Sequence, residues 1–159
     1  MKKIAIFTGL CLVLATQGLA MAQEDHRKVT GGVGWVGPMG QDRHAGFTAH
    51  DTTPAMGEFQ LSQDDGSTLH YVVRCVSFDD STQAWFGGEI TEATGSFDPT
   101  DTREGMGLVT KVIDGGTPGR NGDEIGNQAA ANETDACARV EMQSPVNTVP
   151  VENGNLEIH

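Results

Sequence analysis

The feature that most constrains this chain is its punctuation. Short runs of β-branched and aromatic residues are broken about every ten residues by Asp-Gly, Gly-Gly and Asn-Gly pairs, drawn from a stock of 21 glycines. Such pairs tolerate the positive φ angles of tight reversals, so each one ends an extended run and starts the next. That rhythm predicts an all-β chain: a single sandwich-like or barrel-like antiparallel domain. Strands are expected over Val29 to Val36, Gly46 to His50, Glu58 to Ser62, Thr68 to Phe78, Gln83 to Thr91, Gly107 to Ile113 and Asn155 to Ile158. Thr68 to Phe78 is the clearest of them, with Tyr71-Val72-Val73 and Cys75-Val76 at its centre. Asp64-Asp65-Gly66 is the turn before it, and Gly87-Gly88 in the following run marks a bulge or a close backbone approach. Only Asp123 to Ala138 offers room for a short helix, and Gly126-Asn127 argues against even that.

The domain is expected to follow a cleaved leader. Lys2-Lys3, the apolar run Ile4 to Ala15 and the small-residue site Ala20-Met21-Ala22 read as a signal peptide over residues 1–22, cut before Gln23. An apolar helix of that length covers about 18 Å, short of the roughly 30 Å of a bilayer core, so no stable membrane anchor is expected. Cys11 lies within the apolar run and has no lipoprotein site before it. Residues 23–159 then form one extracytoplasmic domain, secreted or periplasmic, with no linker or repeat to divide it. Cleavage removes two of the ten Lys/Arg and none of the 22 Asp/Glu, which takes the formal charge from −12 to −14. An acidic surface without a basic cluster repels phosphate backbones and anionic headgroups, so nucleic acid and membrane-surface partners are not expected.

Cysteine usage agrees with export. The cleaved chain keeps Cys75 and Cys137, an even pair that reads as one disulfide in an oxidising compartment. The alternative, a thiol nucleophile at Cys75, needs a base. The nearest candidate, His70, sits five residues away, on the opposite side of a strand.

Taken in order, several segments resemble a family. Gly46-Phe47-Thr48-Ala49-His50, Gly57-Glu58-Phe59, Tyr71 to Phe78 around Cys75, Ala84-Trp85-Phe86-Gly87-Gly88, Val112 to Gly119 and the ending Gly154 to His159 are similar to small secreted bacterial domains of the post-COAP type. The resemblance implies an extracellular all-β domain without an assigned activity, and it carries no functional residues over. Asp79-Asp80-Ser81-Thr82 departs from the pattern, where a tighter Gly-Asn turn is expected.

No motif assigns a catalytic, cofactor or metal residue. Gly32-Val33-Gly34-Trp35-Val36-Gly37 has the letters of a dinucleotide fingerprint, but Pro38-Met39-Gly40 follows in place of the helix that holds the pyrophosphate. His44 and His50 stand about 20 Å apart in an extended chain, too far to share an ion. Asp98-Pro99-Thr100-Asp101 and Asp114 to Glu124 lack the ligand spacing of a calcium loop and read as solvated turns. Asn132-Glu133-Thr134 is a formal glycosylation sequon that a bacterial leader leaves idle. Trp35 and Trp85, with Tyr71, are candidate ligand-contact aromatics for an extracellular glycan or protein, set against a core role for the same rings. The expected function is a non-catalytic interaction or cell-envelope module of unknown ligand. The alternative is a small extracellular hydrolase using paired carboxylates from Glu89, Glu92, Asp98, Asp101, Asp114 and Asp123.

Overall fold

A computed structural model describes residues 26–97, 102–116 and 122–159. The leader over 1–22, Asp98 and Asp101 lie outside the described residues.

The described residues form a single antiparallel meander with one helix. Its strands are β1 (Lys28–Val36), β2 (Asp42–His50), β3 (Met56–Gln63), β4 (Thr68–Phe78), β5 (Gln83–Ala93), β6 (Gly107–Ile113) and β7 (Glu124–Ala130). Helix α1 (Glu133–Glu141) follows, and then β8 (Val149–Pro150) and β9 (Asn153–Ile158). The order across the sheet is β8-β7-β6-β5-β4-β3-β2-β1-β9. β8 and β9, at opposite ends of that order, are separated in sequence by only Val151 and Glu152. The Val151 amide donates to Asp123 O at 2.9 Å and the Glu152 amide to Gly34 O at 2.8 Å. One C-terminal segment thus touches both ends of the meander, and the sheet curls into a barrel-like shape.

The core shows how tight the curl is. Phe47 on β2 and Phe86 on β5 are three strands apart in the sheet, a separation of about 14 Å if the sheet were flat. Their ring centroids are 5.4 Å apart. Phe59 and Tyr71 complete the aromatic cluster, with centroids 4.9 Å apart. Alternation places these rings on one face: the register pairs Phe47 with Phe59 and Phe59 with Tyr71. Gly31, paired with Phe47, leaves room for that ring, since a β-carbon there would collide with it.

The outer face of β4, β5 and β6 carries α1. Asn132 caps the helix, its Oδ1 accepting from the Asp135 amide at 2.9 Å, and Glu133 and Asp135 place negative charge in the first turn. Ala136 and Val140 bury against Trp85, Val109, Ala130 and Val146. Glycines in the sheet set how close the helix comes: a β-carbon on Gly107 would sit 2.9 Å from Ala136 Cβ, and one on Gly87 3.1 Å from Val140 Cγ2. Cys75 on β4 and Cys137 on α1 form the expected disulfide, with a Cα–Cα distance of 5.5 Å.

One local expectation needs correction, and two gain a specific form. Asp123 to Ala138 holds both a strand and a helix, because Ile125, Asn127 and Ala129 alternate in phase with β6 and the helix starts only at the Asn132 cap. The bulge near Gly87-Gly88 belongs to the partner strand, where the register shifts between Val73 and Cys75. Gly88 makes the close approach, since a β-carbon there would meet the Val72 carbonyl. The reversal at 79–82 is held by Asp80, whose Oδ1 accepts from the Thr82 amide at 2.6 Å and the Gln83 amide at 3.1 Å.

Candidate ligand-binding site

The barrel-like sheet is open at the end carrying the β1–β2, β3–β4 and β5–β6 connections. Pairing of β7 with β8 involves only Glu124 and Ile125, so the stretch of β7 holding Asn127 and Ala129 lies beyond it. A cavity of about 480 Å³ opens there, within the size range of small-molecule sites. Leu61, Leu69, Leu108 and Ala129 supply an apolar wall; Arg43, Gln63 and Asn127 supply polar groups from strand positions. Met39, Gln41, Asp65, Ser96, Phe97 and Thr102 rim it from the connections.

Among the described residues Arg43 is the one cation of this lining. Its Nε donates to Gln63 Oε1 at 3.3 Å, and among the described residues no carboxylate forms an ion pair with it. Burial holds its pKa below that of a free guanidinium, because the charged form loses water there. Asp65, also on the rim, is already engaged. Its Oδ1 accepts from the Ser67 amide at 2.8 Å, Oδ2 accepts from the Ser96 hydroxyl, and hydrogen bonds from Ser67 and Ser96 hold its carboxyl below the usual range.

Asn127 is oriented from the core. The Tyr71 hydroxyl donates to Thr110 Oγ1 at 2.8 Å, and Thr110 Oγ1 donates to Asn127 Oδ1 at 2.7 Å. Tyr71 and Thr110 are fully buried, and Tyr71 has no other acceptor among the described residues. The direction of the chain is therefore fixed, and it leaves the Asn127 amide nitrogen as a donor with no partner among the described residues. Gln63 is in a similar position: its Oε1 is taken by Arg43, and its nitrogen has no partner among the described residues.

The aromatic candidates do not form a shared platform. Trp35 is 5% exposed and belongs to the interior cluster; Trp85 is 4% exposed on the opposite face of the sheet, under α1. The Trp85 indole donates to Ser144 O at 3.1 Å, and the Lys111 ammonium lies 4.7 Å from its ring. Tyr71 is buried as well. Of the acidic candidates, Asp114 accepts from the amides of Gly116 at 2.7 Å and Ile158 at 3.0 Å, and Asp123 accepts from the Gly115 amide at 2.9 Å, at the closed end of the sheet. Neither these nor Glu89 and Glu92 line the mouth cavity. His44 and His50 lie on β2, where the His50 ring meets Thr48 Oγ1 at 3.2 Å. No group of three or more His, Cys, Asp or Glu suited to a metal occurs among the described residues, nor is any described helix long and apolar enough to cross a membrane.

A second depression lies on the outer face. Gly32 and Gly46 are cross-strand partners with open space where β-carbons would be, and His44, Gln60, Ser62 and Asn153 stand around them. It lacks an apolar wall and a charged group with unmet need.

The mouth cavity was legible only in part. Arg43, Gln63 and Asn127 were not among the candidates, yet each is a polar residue in phase with an apolar inner face: Arg43 with Ala45 and Phe47, Gln63 with Phe59 and Leu61, Asn127 with Ile125 and Ala129. That phase is the signal a sequence offers for such a site. Compared with protein-family models, curated proteins and solved structures, the chain matches none.

Proposed function

We propose that residues 1–22 export this chain and that it works outside the cytoplasm as a non-catalytic binding module, taking a small amphipathic molecule into the mouth of its barrel-like sheet. The observation that carries this is a half-buried guanidinium without an ionic partner among the described residues, facing an apolar wall in a cavity of about 480 Å³. Desolvating Arg43 is costly without a compensating acceptor, and a ligand that brings one removes that cost. The disulfide supports export, because such bonds persist in oxidising compartments. The likeness to post-COAP-type domains is consistent with an extracytoplasmic role and is itself part of this proposal.

Thermal-shift screening of the purified protein against amphipathic small molecules tests the reading. A ligand at a hundredfold excess over its Kd stabilises by about 2.7 kcal/mol, an easily read rise in melting temperature. No shift with any amphiphile, together with turnover of an ester or glycoside in parallel assays, would replace this function with a hydrolytic one.

A further inference from the structure

We infer that the ligand carries a carboxylate, recognised by a three-donor cradle of Arg43, Gln63 and Asn127, with an apolar body against Leu61, Leu69 and Leu108. The inference rests on the binding reading above and adds the chemistry of the ligand's polar end.

Unpartnered donors outnumber unpartnered acceptors among the side chains of the cavity. Gln63 gives its oxygen to Arg43 Nε, so Gln63 and Arg43 both turn N–H groups toward the cavity. Asn127 gives its oxygen to Thr110, which must donate because it accepts from Tyr71, so Asn127 also offers only N–H groups. Three residues from three strands therefore leave donors at one cavity. The acidic group on the rim, Asp65, has its oxygens occupied by Ser67 and Ser96. Gln41, also on the rim, has a buried Oε1 without a partner among the described residues, so one acceptor is set against three donor side chains. Donors in excess, one of them a cation, select a ligand end made of acceptors with negative charge. The guanidinium fork matches the two oxygens of a carboxylate. Leu61, Leu69 and Leu108 give the ligand's body an apolar wall to lie against, which favours hydrocarbon there, with the polar groups of Gln41, Ser96 and Thr102 kept to the rim.

The experiment is isothermal titration of decanoate and of its neutral methyl ester into the purified protein and into R43M, Q63E and N127D. Each variant keeps approximate side-chain size. Q63E retains the oxygen that Arg43 uses but neutralises the cation, and N127D retains the oxygen that Thr110 uses but replaces the free donor with an anionic acceptor. Near-UV circular dichroism confirms folding, and any one folded variant suffices for the comparison. Decanoate is expected to bind at least about tenfold more tightly than the ester, as charge-assisted hydrogen bonds require. Each variant should remove that preference, read as the ratio of acid to ester affinity within the same protein falling to about one. Equal affinity of acid and ester in the unaltered protein overturns the carboxylate inference and leaves the cavity reading standing. A preference that survives in folded R43M also overturns the inference. Absence of binding by both compounds overturns the cavity reading along with it.

Discussion

Thr110→Val tests the buried donor chain from which the orientation of Asn127 was derived. The two side chains are nearly isosteric, so the substitution removes one oxygen and leaves packing alone. It strands the Tyr71 hydroxyl without an acceptor and Asn127 Oδ1 without a donor, and both Tyr71 and Thr110 are fully buried. Leaving a buried polar group unsatisfied costs about 1–3 kcal/mol. Tyr71→Phe removes the donor and leaves the Thr110–Asn127 bond intact, so it should cost only the net value of one hydrogen bond, about 1 kcal/mol. The double variant has no orphaned hydroxyl between those positions. Its loss should be no greater than that of Thr110→Val alone, which amounts to a coupling of about 1 kcal/mol. Urea unfolding followed by tryptophan fluorescence measures all three stabilities. If the two single losses simply add, or if Thr110→Val is as mild as Tyr71→Phe, the Tyr71–Thr110–Asn127 chain is not formed and the orientation of Asn127 that rests on it fails.

Other expected outcomes follow from the same packing. Tyr71 is the sole tyrosine, and burial raises its pKa well above 10.0. The folded chain thus holds the phenolic proton more tightly than the unfolded chain; stability from this group is intact below pH 10 and lost as pH rises beyond it. Tyrosinate absorbance should therefore appear only in step with alkaline unfolding, and a smooth titration in folded protein would refute the burial. Reducing the Cys75–Cys137 bond, or replacing both cysteines by serine, opens a loop with a sequence separation of 62. The chain-entropy account sets that loss at about 4 kcal/mol, read as a shift in the denaturant midpoint. Gly107→Val should destabilise by about 1–3 kcal/mol and alter Trp85 fluorescence, because the new β-carbon meets the Asn132 carbonyl and Ala136 under the helix. A thermal melt that matches the unaltered protein would show that the helix is not seated there.

Much of the fold could be read from residue order because each strand is short, alternating and bounded by a turn whose chemistry is local. Thr68–Phe78 and Gly107–Ile113 are found with the bounds expected of them. Where sequence reasoning fell short, a distant partner decides the structure. Glu124–Ala130 contains weak strand formers, and β6 alongside makes it a strand. Trp85 stays open in sequence between ligand contact and core, because nothing local says that α1 comes back to cover it. The expected strands stopped short of Arg43 and Gln63, since a charged or amide residue at the end of an apolar alternation reads as a turn. In the structure both continue the strand and face inward, where the sheet opens into the cavity.

The most direct test of the central claim is backbone chemical-shift mapping with isotope-labelled protein titrated with decanoate. The account predicts perturbations concentrated on Arg43, Gln63, Leu69, Leu108 and Asn127, with the amides around Gly32 and Gly46 on the outer face unmoved. Shifts clustered on that outer face, or none at saturating ligand, would contradict it.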